Sequence, residues 1–222
     1  MNSNIASYID HTLLKADATR EQIAALCKEA LDFGFYSVCI NPVNVSYAAE
    51  LLESTDVKIC AVVSFPFGAT TTEVKVFETT NSIISGAHEV DMVINIGALK
   101  YKKYDAVQRD IKAVVDTAIS NDAIVKVILE TCYLTPQEII IACEICKSTG
   151  AHFVKTSTGF GPQGATPEIV SLMRQTVGDT MGVKAAGGIR DYKTALSMIE
   201  AGANRLGTSA SISICREAVM QK

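Results

Sequence analysis

The sequence predicts an α/β fold, a single (β/α)8 TIM barrel spanning residues 1–222 as one catalytic domain. Three observations carry that expectation. Eight short apolar runs of strand length alternate with longer segments of helical periodicity, and regular β-α alternation means parallel strands. At 222 residues and 48% hydrophobic, the chain can bury a substantial core and is too apolar for disorder. Gly and Pro fall one or two at a time between the periodic segments, so nothing reads as a linker. The competing fold, an open doubly wound sheet, carries G-x-G-x-x-G after its first strand, and Asp10-His11-Thr12-Leu13-Leu14-Lys15 contains no glycine.

The elements follow in order. Residues 8–13 read as the first strand. Residues 19–33 read as a helix opened by a polar cap residue, with Ile23, Leu26, Ala30 and Leu31 at helical spacing. Strands are expected at 35–41 and 57–65, then a helix at 71–85 with Val74, Phe77, Ile83 and Ile84 as its apolar residues. A strand at 88–96 precedes a helix at 105–120 carrying Val107, Ile111, Val114, Val115 and Ile119. After the strand at 123–130, Thr135-Pro136 reads as an N-cap followed by proline at the first helical position, opening a helix through Lys147. The strand at 151–157 is followed by a second such signal, Thr166-Pro167. The strand at 181–186 leads to a helix capped by Asp191 and stopped by Gly202, and residues 203–207 form the last strand.

Composition narrows the function classes. A net charge of −4 argues against nucleic acid or an anionic membrane as partner, since both select basic patches. The first ten residues carry neither a basic segment nor an apolar run, so no secretory signal is read. No apolar run reaches the roughly 18 residues needed to span a bilayer. The seven cysteines are odd in number and sit mostly in apolar segments, which fits reduced thiols in a cytoplasmic protein. Cys143-Glu144-Ile145-Cys146 matches C-x-x-C but lies in a helical pattern without a second pair at zinc spacing, so it reads as two small buried hydrophobes.

Three charged residues stand inside apolar strands. Lys155 stands in the middle of the run Ala151-His152-Phe153-Val154-Lys155-Thr156-Ser157 before a glycine-rich turn, Lys184 lies in Gly182-Val183-Lys184-Ala185-Ala186-Gly187-Gly188, and Asp91 lies in Glu89-Val90-Asp91-Met92-Val93-Ile94-Asn95. Either face of a barrel strand is costly for an isolated charge. A strand lysine taken alone also reads as an edge residue with its head in water, and an Asp-Lys pair also reads as one that only satisfies itself. If the three face inward together, a neighbouring cation and burial favour the neutral amine of one lysine, which is a nucleophile able to form a Schiff base with a carbonyl. A second feature points to an anion. Gly187-Gly188 ends the seventh strand and Gly207-Thr208-Ser209 the eighth, and both lead into helical segments whose N-termini favour phosphate.

Four segments in order, Ile9-Asp10-His11-Thr12-Leu13-Leu14-Lys15, Glu89-Val90-Asp91-Met92-Val93-Ile94-Asn95, Phe153-Val154-Lys155-Thr156-Ser157-Thr158-Gly159-Phe160 and Val183-Lys184-Ala185-Ala186-Gly187-Gly188-Ile189-Arg190, resemble the deoxyribose-phosphate aldolase family across nearly the whole chain. The resemblance implies a class I aldolase that cleaves 2-deoxyribose 5-phosphate reversibly to acetaldehyde and glyceraldehyde 3-phosphate, without cofactor or metal. It implies Lys155 as the Schiff-base lysine, Lys184 as the lysine that tunes it and Asp91 as the proton-relay carboxylate. It places the phosphate on Gly187, Gly188, Gly207 and Ser209, with Asp10, Thr12 and Thr156 near the substrate hydroxyls. By family analogy the protein is a monomer or homodimer acting in deoxyribose phosphate catabolism. Two positions depart from some relatives: Phe160 stands where they carry a lysine near the phosphate, and the chain does not end in the tyrosine that assists proton transfer in them.

Other residues are assigned structural parts. Lys126 shares a strand face with Glu130 and is expected to pair with it. His11, His88 and His152 are scattered and read as satisfied structural histidines. Cys39 is expected to face the barrel mouth in a packing role. The rival readings are a sugar-phosphate isomerase, which needs no imine, and a phosphate-binding barrel, which needs neither strand lysine.

Overall fold

The structure is a computed structural model that describes residues 5–220. Met1 to Asn4, Gln221 and Lys222 lie outside the described residues, and with them the readings on a leader and on the last residue. Eight parallel strands close in sequence order, the eighth pairing with the first. They are β1 (Ile9–Leu13), β2 (Ser37–Ile40), β3 (Lys58–Val63), β4 (Glu89–Val93), β5 (Ile124–Ile128), β6 (Phe153–Lys155), β7 (Gly182–Ala186) and β8 (Arg205–Thr208). The helices are α1 (Arg20–Phe33), α2 (Val45–Leu51), α3 (Thr72–Ile84), α4 (Ile96–Lys100), α5 (Tyr104–Ile119), α6 (Pro136–Thr149), α7 (Pro167–Val177), α8 (Tyr192–Glu200) and α9 (Ser211–Met220). The expected (β/α)8 barrel is therefore the observed fold.

Local chemistry sets the boundaries. Thr19 and Gln22 form a reciprocal capping box at the start of α1, and Thr135 and Glu138 form another at α6, where Pro136 takes the first turn. Thr166 and Asp191 accept backbone N–H groups at the starts of α7 and α8. Gly34 and Gly150 close α1 and α6 in the left-handed conformation. The strands are shorter than their apolar runs because flanking residues enter turns. Ile96, read as the end of a strand, instead opens α4, capped by the Asn95 side chain. The sequence reading assigned no helix between the second and third strands, yet α2 stands there after a 3-10 turn at Pro42–Asn44.

The apolar core lies outside the barrel wall. Val38, Ile40, Ile59, Ala61, Val90, Met92, Val125, Val127, Val154, Val183 and Leu206 form one continuous buried cluster with the helices. Alternation sends the intervening residues inward, where Cys39, Cys60 and Val62 cluster with Leu14 and where Val93, Ile128 and Ala186 are also buried. The charged strand residues share that interior. Cys143 and Cys146 are buried on α6 as expected.

The face of α3 differs from the expectation. Val74, Phe77 and Ile84 are exposed, while Lys75, Thr79 and Ser82 are buried. An ion pair turns the helix over. Lys75 Nζ sits 2.5 Å from Asp110 Oδ2 of α5 and donates to the Val93 carbonyl at 2.9 Å, and Thr72 donates to Asp110 Oδ1 at 2.8 Å. The buried ammonium is satisfied by these partners, and Val74, Phe77 and Ile84 lie on the opposite, exposed face. The histidines are satisfied. His88 and His152 each accept a backbone N–H, from Ile59 and Val125, and His11 bridges Ser211 and Glu29.

Candidate active site

The inward positions bring together seven charged side chains. Asp91 of β4 is the hub. Its Oδ2 receives Lys155 Nζ of β6 and Lys184 Nζ of β7, each at 2.7 Å, and its Oδ1 receives Lys126 Nζ of β5 at 2.8 Å. Lys184 also reaches Asp10 Oδ2 of β1 at 2.5 Å, and Lys126 reaches Glu89 Oε2 at 2.5 Å. Arg205 of β8 closes the lower end, 2.7 Å from Asp10 and 3.3 Å from Glu89, with its guanidinium stacked over the Tyr36 ring at 3.4 Å. Ser37 donates to Asp10 at 2.7 Å, and Cys60 Sγ donates to Asp91 Oδ1 at 3.0 Å.

Four cations (Lys126, Lys155, Lys184, Arg205) thus face three carboxylates (Asp10, Glu89, Asp91). Burial would raise the Asp91 carboxyl, but the ammoniums of Lys126, Lys155 and Lys184 overcome it and hold it well below the usual carboxylate range. Asp10 is likewise lowered against its burial by Lys184, Lys126 and Arg205. Burial disfavours the ammoniums of Lys184 and Lys126, yet the carboxylates around each outweigh it and both are raised. Lys184 is held as a cation.

These shifts fix a pH dependence. A carboxylate depressed in the folded state stabilises the fold fully above its unfolded value, 3.8 for aspartate, and that stabilisation is lost as pH falls from there through the folded-state value. Urea unfolding free energy is expected to be insensitive to this network near neutrality and to drop steeply below pH 3.8. An acid limb displaced to higher pH would contradict the pairing.

Above this layer opens a cavity lined by Thr12, Lys15, Lys155, Gly187, Gly188, Arg190, Gly207 and Ser209, among others. Of the seven charged groups only Lys155 lines it, and it remains 2% exposed. Gly187 and Gly188 adopt φ of 83° and 79°, a conformation that favours glycine. The loop after β6 leans on them, with the Ala165 N–H bonded to the Ala186 and Gly187 carbonyls at 3.1 Å. A Cβ on Gly164 would fall 2.1 Å from the Gly187 carbonyl oxygen. Gly164→Ala is therefore expected to displace the Gly187-Gly188 turn and raise KM for a phosphorylated substrate about tenfold, with a smaller change in kcat; an unchanged KM would detach this turn from binding. Gly207 has a second use. A Cβ there would sit 3.1 Å from Lys184 Cε, so the glycine makes room for the lysine stem.

The expected residues divide into groups. Lys155, Lys184 and Asp91 converge, and Gly187, Gly188, Gly207, Ser209 and Thr12 line the cavity above them. Asp10 and Thr156 do not line it. Asp10 is fully buried in the ionic layer, and Thr156 Oγ1 is engaged with the Ala186 backbone at 3.1 Å across the β6–β7 ladder. Lys126 does not pair with Glu130. The strand ends at Ile128, and Glu130, at φ 53°, turns aside to accept from the Thr158 N–H and hydroxyl. Cys39, expected at the mouth, is fully buried beneath it. Gly182, on the same strand face as Lys184, makes room for the Phe153 ring, which lies 2.2 Å from where a Cβ would stand.

Glu89, Arg205 and the inward role of Lys126 escaped the sequence reading. Parity carried the signal: Glu89 lies two residues before Asp91, and Arg205 opens an apolar strand. Lys15 and Arg190 add two cations at the cavity rim. Phe160 packs edge-on against Phe65, with ring centroids 5.3 Å apart.

Comparison with known proteins gives a consistent picture. Residues 4–216 match the DeoC/LacD family aldolase profile. The chain is 62% identical over 213 residues to a deoxyribose-phosphate aldolase of Clostridium tetani, covering 96% of this chain and 98% of that one. It is 61% identical to the one from Thermococcus gammatolerans, over 95% of each chain. A solved deoxyribose phosphate aldolase from Aeropyrum pernix, described as having a unique tetrameric structure, superposes with a TM-score of 0.93 at 34% identity, covering 100% of this chain and 94% of that one.

Proposed function

The chain belongs to the DeoC/LacD family of aldolases, enzymes of the carbon–carbon lyase class, and from that premise we propose that it cleaves 2-deoxy-D-ribose 5-phosphate reversibly to acetaldehyde and D-glyceraldehyde 3-phosphate through an imine on Lys155. The observation that carries the reading is the position of Lys155. It is the one member of the ionic layer that reaches the cavity, and it touches the carboxylate that Lys184 also holds.

Charge counting supports the choice of nucleophile. The layer holds one cation more than it holds carboxylates, so it becomes neutral when one lysine is a free amine. Lys184 contacts two carboxylates and Lys126 three, whereas Lys155 contacts Asp91 alone. Lys155 has the fewest carboxylate partners of the three lysines, and it lines the cavity that a carbonyl would enter.

In this reading the Lys155 nitrogen adds to the C1 aldehyde, and loss of water gives a protonated imine. A base removes the C3 hydroxyl proton, C2–C3 breaks, and its electron pair moves toward the iminium nitrogen to form an enamine while glyceraldehyde 3-phosphate departs. Once Lys155 is an iminium, it has a single N–H in place of the amine's donors. Oδ2 can then hold, with Lys184, the water that takes this proton and returns it to the enamine carbon. Hydrolysis frees acetaldehyde and the amine. The iminium is the electron sink, so the chemistry calls for no cofactor. The phosphate sits against the Gly187-Gly188 turn, Gly207 and Ser209, where glycines admit backbone donors and the N-terminus of α9 follows. Lys15 and Arg190 supply countercharge at the rim, in place of a lysine at Phe160.

The same resemblance extends the proposal to deoxyribose phosphate catabolism in the cytoplasm, by residues 1–222 acting as one domain in a monomer or homodimer. Among the described residues no helix is long and apolar enough to cross a membrane.

Incubation with acetaldehyde, reduction with borohydride and peptide mapping test the assignment. A two-carbon addition at Lys155 supports it. Addition at Lys126 would move the nucleophile, and no adduct at all would favour an isomerase.

A further inference from the structure

Below the cavity lies a pair of thiols that the aldolase chemistry does not use. Cys39 of β2 and Cys60 of β3 are register partners on adjacent parallel strands, and both point into the barrel. Neighbouring strands lie about 4.8 Å apart, within the Cα separation that a disulfide spans. The two sulfurs and an Asp91 carboxylate oxygen all lie within 4.8 Å of one another. Cys60 has one proton for two acceptors, Asp91 Oδ1 at 3.0 Å and the Cys39 sulfur, and Lys126 Nζ stands 3.2 Å from its own sulfur.

We propose that Cys39 and Cys60 form a redox-sensitive pair, closed to a disulfide by a small peroxide and reopened by a dithiol, which switches the site through Asp91. The switch acts on the activity proposed above, but the disulfide itself does not depend on that activity.

The electrostatics suit the roles. The hydrogen bond from Cys60 lowers the Cys39 thiol to about 7 despite its burial, with the Lys184 and Lys155 ammoniums contributing, while burial and the same hydrogen bond raise Cys60 well above its ordinary value. Every other cysteine is raised: Cys27, Cys132, Cys143, Cys146 and Cys215. Cys39 is thus the thiolate-prone member and the one to react first. Leu14, which lines the cavity, belongs to the same small buried cluster as Cys39 and Cys60, so the thiols pack next to a residue of the cavity wall.

The chemistry balances. The Cys39 thiolate attacks hydrogen peroxide, an S–O bond forms, the O–O bond breaks and hydroxide leaves, giving a sulfenic acid. Cys60 gives its proton to that hydroxide, and its sulfur attacks the Cys39 sulfur. The S–S bond forms, the S–O bond breaks, and a second hydroxide leaves and takes a proton from solvent. Two electrons pass from the thiols to peroxide, which ends as two waters. The disulfide has no S–H to give Asp91 and draws the two side chains together beneath the carboxylate. Displacing a positioned catalytic group by even about 1 Å can cost on the order of a hundredfold in rate.

The test treats the whole protein with hydrogen peroxide, blocks free thiols under denaturing conditions, digests without reduction and maps the peptides. A Cys39–Cys60 linked peptide is expected to accumulate in step with an activity loss of about tenfold or more, and dithiothreitol is expected to reverse both. Each variant is read against its own untreated activity. Cys60→Ser is expected to lose activity irreversibly, because the sulfenic acid has no resolving thiol and oxidises further. Cys215→Ser is expected to behave as the parent. Reversible loss in Cys60→Ser, activity loss without the linked peptide, or the linked peptide at undiminished activity would each overturn the proposal. If Cys60→Ser does not fold, the parent peptide map decides the matter alone.

Discussion

Lys155→Met is expected to lower kcat by at least about a thousandfold and to abolish borohydride trapping, while leaving the thermal melt close to that of the parent. The two halves of that expectation have separate grounds. Methionine keeps the stem and its packing but has no nitrogen to form an imine, so the covalent route is lost whatever the remaining groups do. Stability is spared because the change removes the surplus cation. Three cations and three carboxylates remain, and Asp91 keeps Lys126 and Lys184 as partners. Single-turnover cleavage and calorimetry on the same preparation check both halves. Substantial residual cleavage would end the imine reading, and a large fall in melting temperature would show that Lys155 is structural.

Asp91→Asn is expected to be the most damaging single change to folding among the charged residues of the layer. The amide keeps the size of the carboxylate but leaves three ammoniums without their shared anion, two of them fully buried. Breaking a buried ion pair from one side costs about 3–5 kcal/mol. For a chain of this length that is a fall in melting temperature of roughly 6–20 °C. The variant should also be inactive, since the lysine and its proton relay lose their common partner. Calorimetry of the variant checks it, and a melt within a few degrees of the parent would mean that Asp91 is not the hub described.

Much of this was legible in the chain. Proline and threonine at helix starts, glycine at helix ends and strand-length apolar runs gave every strand and seven of the helices described, α9 without its bounds. Helices α2 and α4 were lost because each is only about two turns long, too short for periodicity to speak. The face of α3 was misread because Lys75 looks like a solvated charge in any local window; its partner Asp110 is 35 residues away. The same blindness hid Arg205 and Glu89. Lys155, Lys184 and Asp91 stood out as charges inside apolar strands, but what pairs with what is decided by the closure of the barrel, which brings β1 against β8. Lys126 shows the limit best. Its nearest charged neighbour along the strand face is Glu130, yet a left-handed turn at Glu130 sends that carboxylate to Thr158.

The barrel wall separates two populations of side chains. The aliphatic shell lies between strands and helices, the charged layer lies within, and the strand residues alternate strictly between them. Conservative exchange among Val, Ile and Leu in the shell reaches the inner groups only through backbone shifts, so the exterior is free to drift across lineages or to be recombined in the laboratory while the interior stays fixed. The inner residues have no such latitude: they are wired to one another across six strands, and a replacement there is tolerated only in company.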